Sequence, residues 1–200
     1  MWNALERISA PAVEVVTTAE AKAQCRIDHS DDDALIGRLI KVAREKIEGP
    51  DGIGLCFVSQ GWRLSLERFP RQIRIQMGPV LSIDSISYVD EAGKAQTLDP
   101  ELYQWRRERF GAWIAPAYEQ TWPTARCVYG SVQIDFTAGF PGTNDSPVNL
   151  SSVPETLKHA MLLLVGHYYE NREAVLAGEM PAMPLGFENI INQYLVGRIA

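Results

Sequence analysis

The sequence has few cysteines and no long apolar run. Its three cysteines, Cys25, Cys56 and Cys127, form no C-x-x-C pair, so we expect no disulfide framework, and synthesis in a reducing cytosol fits best. The longest apolar run, residues 160–166, is far shorter than the ~20 residues that cross a bilayer. Residues 1–7 lack the basic-then-apolar pattern of a signal peptide. We therefore expect a soluble, unprocessed protein without a membrane segment.

Positive charge is also scarce. The chain has 19 lysines and arginines against 25 aspartates and glutamates, a formal net charge of −6. Such a surface does not attract phosphates, which excludes a protein that clamps duplex DNA. With 200 residues of which 46% are hydrophobic, the chain is long enough to fold as one or two compact domains. Intrinsic disorder and collagen-like repeats are excluded.

The common enzyme motifs are absent as well. The sequence contains no G-x-x-x-x-G-K-[ST], G-x-S-x-G, H-E-x-x-H or strand-linked G-x-G-x-x-G. A small hydrolase using His167 and Glu170 is poorly supported, because no nucleophile stands at a recognised spacing. The cluster of Asp28, His29 and Asp31–Asp33 could in principle bind a hard cation, but the spacing of a calcium loop is missing, so helix capping by Ser30 or an aspartate is favoured. We predict no catalytic residues, no metal site and no cofactor.

Hydrophobic periodicity divides the chain into helical flanks and a middle region of strands. Thr17 and Glu20 have the spacing of a capping box, which predicts a helix to about Ile27. Apolar residues recur at helical spacing over residues 36–47 and again after Pro154. A last helix is predicted from Phe187 to Val196, after a proline-rich connector at residues 177–184. Between the flanks, residues 57–140 alternate with a period of two, which is typical of half-buried antiparallel strands.

One cluster combines basic and aromatic side chains. Arg106, Arg107 and Arg109 stand close to Trp105 and Phe110. Such a cluster could stack on a nucleic acid or a sugar. In an acidic protein, a β-hairpin tip that contacts a protein neighbour is the favoured interpretation.

Two segments are distinctive, SQGWRLSLERFP at residues 59–70 and HYYENR at residues 167–172. Together with several others, their order and spacing resemble the bacteriophage head–tail connector family, also called the adaptor family, with relatives in gene transfer agents. The other matching segments are residues 11–22, 32–36, 43–48, 78–79, 86–90 with Gly93, 136–139 and 160–166. The resemblance runs from about residue 10 to residue 195.

The resemblance implies an α+β fold. Both chain ends would form a small helical bundle, with an antiparallel β-rich insertion between the second and third long helices. We accordingly expect three parts: residues 1–56, the N-terminal part of the bundle; residues 57–142, the β-rich insertion; and residues 143–200, the C-terminal part of the bundle with the terminal helix.

The resemblance also implies a structural, non-enzymatic function. Family members form a twelve-fold ring beneath the portal, which extends the DNA channel and docks the stopper or tail. The expected partners are further copies of the chain, a portal protein and a stopper or tail protein, and DNA would pass without sequence-specific binding. The expected location is the head–tail interface of a virion or virus-like particle assembled in the bacterial cytoplasm.

Two sets of candidate interface residues follow from this interpretation. The final helix could swing out and lay its apolar residues into a groove of the portal, or it could pack on its own subunit; these residues are Phe187, Ile190, Ile191, Tyr194 and Leu195. The β-rich part could offer a second surface to the next tail component or to a neighbouring subunit, consisting of Trp105, Arg106, Arg107, Arg109, Phe110 and Trp113.

A different class of function stays open. Tryptophans and tyrosines near arginines also build carbohydrate- or receptor-binding sites, so a binding module with helical flanks is the main alternative.

Overall fold

The computed structural model describes residues 4–172 and 183–195. Within these ranges the chain forms four α-helices and eight strands, so the mixed α+β class is confirmed. The helices are α1 (Thr18–Cys25), α2 (Asp33–Ile47), α3 (Glu155–Glu170) and α4 (Leu185–Leu195). The strands are β1 (Ala4–Arg7), β2 (Gln60–Leu66), β3 (Ile73–Ile75), β4 (Val80–Val89), β5 (Ala95–Thr97), β6 (Tyr103–Glu108), β7 (Gly111–Pro116) and β8 (Val132–Ala138).

The strands form two antiparallel sheets. The larger sheet has the order β1-β2-β8-β4-β5, and the smaller has the order β3-β7-β6. Strand β8 lies at the centre of the larger sheet, and its side chains alternate strictly between buried and half-buried positions. Because successive side chains of a strand point to opposite faces, this alternation places Ile134 and Phe136 in a hydrophobic core that β2, β4 and β7 also line.

The helices enclose a second core, here called the helical core. It contains buried residues of α1, α2 and α3, among them Ile36, Ile40 and Leu164, together with Phe57 from the segment that leads into β2. The predicted capping box is present at α1: the Thr17 hydroxyl accepts a hydrogen bond from the Glu20 amide, and the Glu20 carboxylate accepts one from the Thr17 amide. Among the described residues, no helix is long and apolar enough to span a membrane.

Two sequence-based boundaries differ from the structure. Residues 1–56 are predicted to belong to the helical bundle, but residues 4–7 form β1 of the larger sheet. This strand pairs with β2, with Leu5 opposite Leu64. The last strand begins at Val132, whereas the periodicity placed its start near residue 128. The connector and the end of the final helix fall partly on residues 173–182 and 196, which lie outside the described residues.

Candidate assembly surfaces

Helix α4 packs on its own chain. All five apolar residues of the predicted portal-binding set contact the helical core, and Phe187 is only 7% exposed. The hydroxyls of Tyr194 and of Thr156 on α3 lie 2.8 Å apart and form a hydrogen bond. In this structure the apolar side of α4 thus packs against α3 and the helical core.

The hairpin of β6 and β7 separates the basic–aromatic cluster onto two faces. Arg106 is opposite Trp113 in the register, whereas Trp105 is opposite Ile114 and Arg107 is opposite Ala112. Since paired residues share a face and successive residues alternate, Arg106 and Trp113 lie on one face of the small sheet and Trp105 and Arg107 on the other. Arg107 also donates a hydrogen bond to the Leu81 carbonyl, with Nη2 3.2 Å from the oxygen.

The face that carries Arg106 and Trp113 has a further member, which the sequence did not reveal. Arg74 on β3 is paired with Trp113, and its guanidinium carbon lies 5.2 Å from the centre of the indole ring. Arg74, Trp113 and Arg106 thus form a row across three adjacent strands, which we call the arginine row. A groove of about 570 Å³ follows this face, and Gln72 and Gln104 also line it.

The stacking of Arg74 bears on the carbohydrate-binding alternative. A sugar stacks on a free face of an aromatic ring, and a guanidinium within about 6 Å of the ring centre makes a cation–π contact there instead. Arg74 occupies this position over Trp113. Arg74 therefore covers one face of the Trp113 ring, and that face is not free to stack on a sugar.

The tip of the hairpin meets α4. Arg109 and Phe110 form the turn between β6 and β7, and the Arg109 guanidinium carbon lies 5.0 Å from the centre of the Phe110 ring. Both residues line a cavity of about 130 Å³, and Tyr194 of α4 lines it as well. The two predicted interface sets, which are far apart in the sequence, are contiguous at this cavity.

A buried ionic network joins α2 to the start of the β-rich part. Arg44 is 5% exposed and donates hydrogen bonds to Glu14, with Nε 2.9 Å from Oε2, and to Glu48, with Nη1 3.0 Å from Oε2. The second Glu48 oxygen accepts a hydrogen bond of 2.5 Å from the Phe57 amide, and Gln60 donates to the first at 3.2 Å. Burial raises the pKa of Glu48, although the Phe57 amide and Arg44 oppose this effect. The network fixes the angle at which the chain leaves α2.

The aspartates before α2 do not act as expected. Asp32 occupies the N-cap position, but its side chain makes no capping hydrogen bond. Instead, Asp32 accepts hydrogen bonds from the Tyr169 hydroxyl at 2.5 Å and from Arg172 at 2.7 Å. Both bonds lower the pKa of Asp32, and the bond from Tyr169 has the larger effect. The prediction of a side-chain cap is therefore wrong for Asp32, because partners at the end of α3 compete for its carboxylate.

The residues considered for metal binding and hydrolysis have structural neighbours. Asp33 pairs with Lys22 at 2.8 Å, and His167 Nδ1 lies 3.5 Å from Asn171 Nδ2. Within residues 4–172 and 183–195, no three histidine, cysteine or carboxylate side chains are placed to hold a metal ion.

Residues 16–90 match the family described as the phage gp6-like head-tail connector protein. The resemblance to head–tail connectors is confirmed. The matched region covers α1, α2 and β2–β4, and it contains Arg44 and Glu48 but not Glu14.

Solved structures extend the likeness to almost the whole chain. A chain in the neck of an empty gene transfer agent particle, computed with C6 symmetry, is 26% identical with a TM-score of 0.74; the match covers 96% of this chain and 94% of that one. A chain in the virion of a native gene transfer agent shares the fold at 24% identity, with a TM-score of 0.74 and coverage of 95% and 94%. A third, in a native neck with C12 symmetry, has 21% identity, a TM-score of 0.67 and coverage of 96% and 94%. No curated protein sequence gives a significant match.

Proposed function

We propose that this connector-like chain is a structural adaptor between the head and tail of a phage-like particle. Twelve copies form a ring beneath the portal, extend the DNA channel and dock the stopper or tail. The observation that carries the proposal is the likeness to a neck chain of a gene transfer agent over 96% of this chain at 26% identity. The family match over residues 16–90 supports the same role. The chain acts by shape and contact, without catalysis.

A closed ring places a geometric demand on each copy. One flank must complement the opposite flank of the next copy, because a cyclic assembly of more than two subunits uses heterologous contacts. Neck structures with C6 and C12 symmetry that contain related chains support a ring of this kind.

The acidity of the chain suits a channel for DNA. Twelve copies at −6 each carry a formal charge of −72. An acidic wall repels phosphates, so DNA passes without sequence-specific binding and without the counterion release that strengthens binding to basic grooves. We propose that the positions facing the channel are acidic or neutral.

Helix α4 is the proposed portal-binding element. It has one buried residue, Phe187, whereas α3 has five. Four further residues, Ile190, Ile191, Tyr194 and Leu195, are half-buried against the helical core, so moving α4 from its own chain to a groove on the portal exchanges one apolar contact for another. The free energy of releasing α4 is therefore smaller than that of unpacking α3.

We expect substitutions on the apolar side of α4 to weaken portal binding. Replacing Ile190 and Ile191 with serine removes two apolar anchors and should reduce binding to purified portal rings by about ten-fold or more in a pull-down titration. The matched control replaces Asn192 and Gln193, which are exposed on the same helix, with serine. The control should bind as the unmodified chain does. Undiminished binding by a chain that lacks residues 179–200 would rule out this role for α4.

The β6–β7 hairpin is the second proposed surface. Its arginines are exposed, and Trp105 retains 37% exposure. We propose that this hairpin faces the next tail component or a neighbouring copy.

The adaptor role is tested by removing the chain from particles. Without it, heads should package DNA but lack tails, and adding the purified chain should restore tail attachment. Electron microscopy of native particles should then show a ring of this chain between portal and tail. Tailed particles that assemble normally without the chain would disprove the proposal.

A further inference from the structure

Charge is distributed very unevenly over this chain. Residues 68–76 and 103–116, which contain the whole small sheet, carry six arginines and one glutamate, a formal net charge of +5. The other residues carry 13 basic and 24 acidic side chains, a net charge of −11. A net charge of −6 therefore conceals a basic region around the small sheet, whose strands carry three of the six arginines, Arg74, Arg106 and Arg107.

The basic charge of the small sheet is exposed and largely without acidic partners. All six arginines are exposed. Within the described part of the chain, a single ion pair involves them, between Arg106 and Glu108 at 3.3 Å on the surface. Such an exposed pair contributes little to stability. The guanidinium groups are thus available to carboxylates of another molecule.

The small sheet also has an open edge. Strand β6 is the last strand in the order β3-β7-β6, and the backbone groups on its outer side have no hydrogen-bond partner among residues 4–172 and 183–195. An open edge of six residues is a template for polypeptide. Together with the arginine row, this edge favours an acidic protein partner, since the other residues, with a net charge of −11, repel a nucleic acid.

We infer that the arginine row and the β6 edge bind acidic side chains of a second copy of this chain. The inference rests on the proposed ring and goes beyond it, because it assigns the small sheet to the contact between copies and not to the next tail component. A head-to-tail ring needs two unlike surfaces on each copy. A basic sheet and an acidic remainder provide such a pair within one sequence, and their attraction also aligns the copies before contact.

Charge reversal tests this inference. Replacing Arg74 and Arg106 with glutamate changes two exposed side chains and takes the net charge from −6 to −10. The matched control, Arg38→Glu with Lys41→Glu, makes the same charge change at two exposed positions of α2. Sedimentation velocity over a range of concentrations measures self-association, and circular dichroism confirms folding.

We expect the unmodified chain to form rings and the arginine-row variant to lose about ten-fold or more in association, while the control keeps it. Raising the salt to about 0.5 M should weaken association of the unmodified chain, because screening shortens the reach of surface charges to a few ångströms. The inference would be overturned if the two variants associated equally well. It would also be overturned if the unmodified chain and the control bound a duplex DNA fragment and the arginine-row variant did not.

The same experiment separates the inference from the proposed function. If the unmodified chain assembles and attaches tails, and the arginine-row variant does so equally well, the adaptor role stands and the assignment of the small sheet fails. If the unmodified chain remains a monomer at every concentration and restores no tails to deficient heads, the adaptor role fails and the inference fails with it.

Discussion

Replacing Arg44 with methionine should lower the free energy of unfolding by about 3–5 kcal/mol at pH 7, which is the usual cost of removing one partner from a buried ion pair. Arg44 and Glu48 are 5% and 6% exposed, and their closest atoms are 3.0 Å apart. Methionine fills most of the volume but leaves the Glu48 carboxylate buried without a counter-charge. Chemical denaturation at pH 7 measures the loss.

The pH dependence of this variant provides a second test. Burial holds the pKa of Glu48 in the folded protein above its ordinary value of 4.5. As the pH rises from 4.5 through the folded-state pKa, Glu48 loses its proton, and this ionisation lowers the free energy of unfolding. Without Arg44 the pKa rises further, and protonation at low pH removes the unpaired charge. The stability deficit of Arg44→Met should therefore be smaller at pH 5 than at pH 7.

The matched control is Lys46→Met, which removes the same charge from an exposed position of the same helix. Its effect should stay within about 0.5 kcal/mol. A loss of comparable size in both variants, or a deficit in Arg44→Met that does not change with pH, would contradict the role assigned to the buried pair.

Replacing Phe136 with alanine should destabilise the protein by about 3–5 kcal/mol, because the truncation opens a cavity in a close-packed core. Phe136 has no exposed surface and lies on β8, paired with Trp62 on one side and Ile83 on the other. Since small domains have about 5–15 kcal/mol of stability in total, this variant should also assemble poorly at 37 °C. Thermal and urea unfolding measure the change.

Tyr129 supplies the aromatic control, because it is 65% exposed. Tyr129→Ala should change the free energy of unfolding by about 0.5 kcal/mol or less. If the two substitutions cost the same, the core that we place around β8 is not the one that stabilises the fold.

The helices could be predicted from the sequence because their signals are local. Thr17 and Glu20 lie within one turn of each other, and their reciprocal hydrogen bonds start α1 where expected. The segment at residues 36–47 carries its apolar positions at helical spacing, and α2 covers it. These signals do not depend on the rest of the chain.

The strands at the sheet margins could not be predicted in the same way. Strand β1 has four residues, Ala-Leu-Glu-Arg, with no alternating pattern, and it becomes a strand through pairing with β2, some 60 positions further along the chain. Strand β6 is exposed at four of six positions, so its hydrophobic pattern is weak. Tertiary pairing, and not local preference, determines these elements.

Part of the candidate surfaces was likewise invisible in the sequence. The cluster around Trp105 and Arg107 was recognised as a group, but the pleat of the sheet divides it between two faces. Arg74 joins Trp113 only because β3 and β7 are neighbours. The partner of Asp32, Tyr169, is 137 positions away along the chain. Side-chain contacts across such separations follow from topology, which periodicity alone does not determine.

The small cavity between the hairpin tip and α4 makes the two proposed surfaces thermodynamically dependent on each other. Tyr194 and Phe110 line the same cavity. A partner that moves α4 away from α3 therefore also exposes the side of Phe110 that faces this cavity. Binding free energies at two linked sites are reciprocal: if ring contacts at the hairpin change the affinity of α4 for its partner, that partner changes the affinity between copies by the same factor. If the coupling is positive, attachment to the head favours ring closure, and ring closure favours attachment to the head.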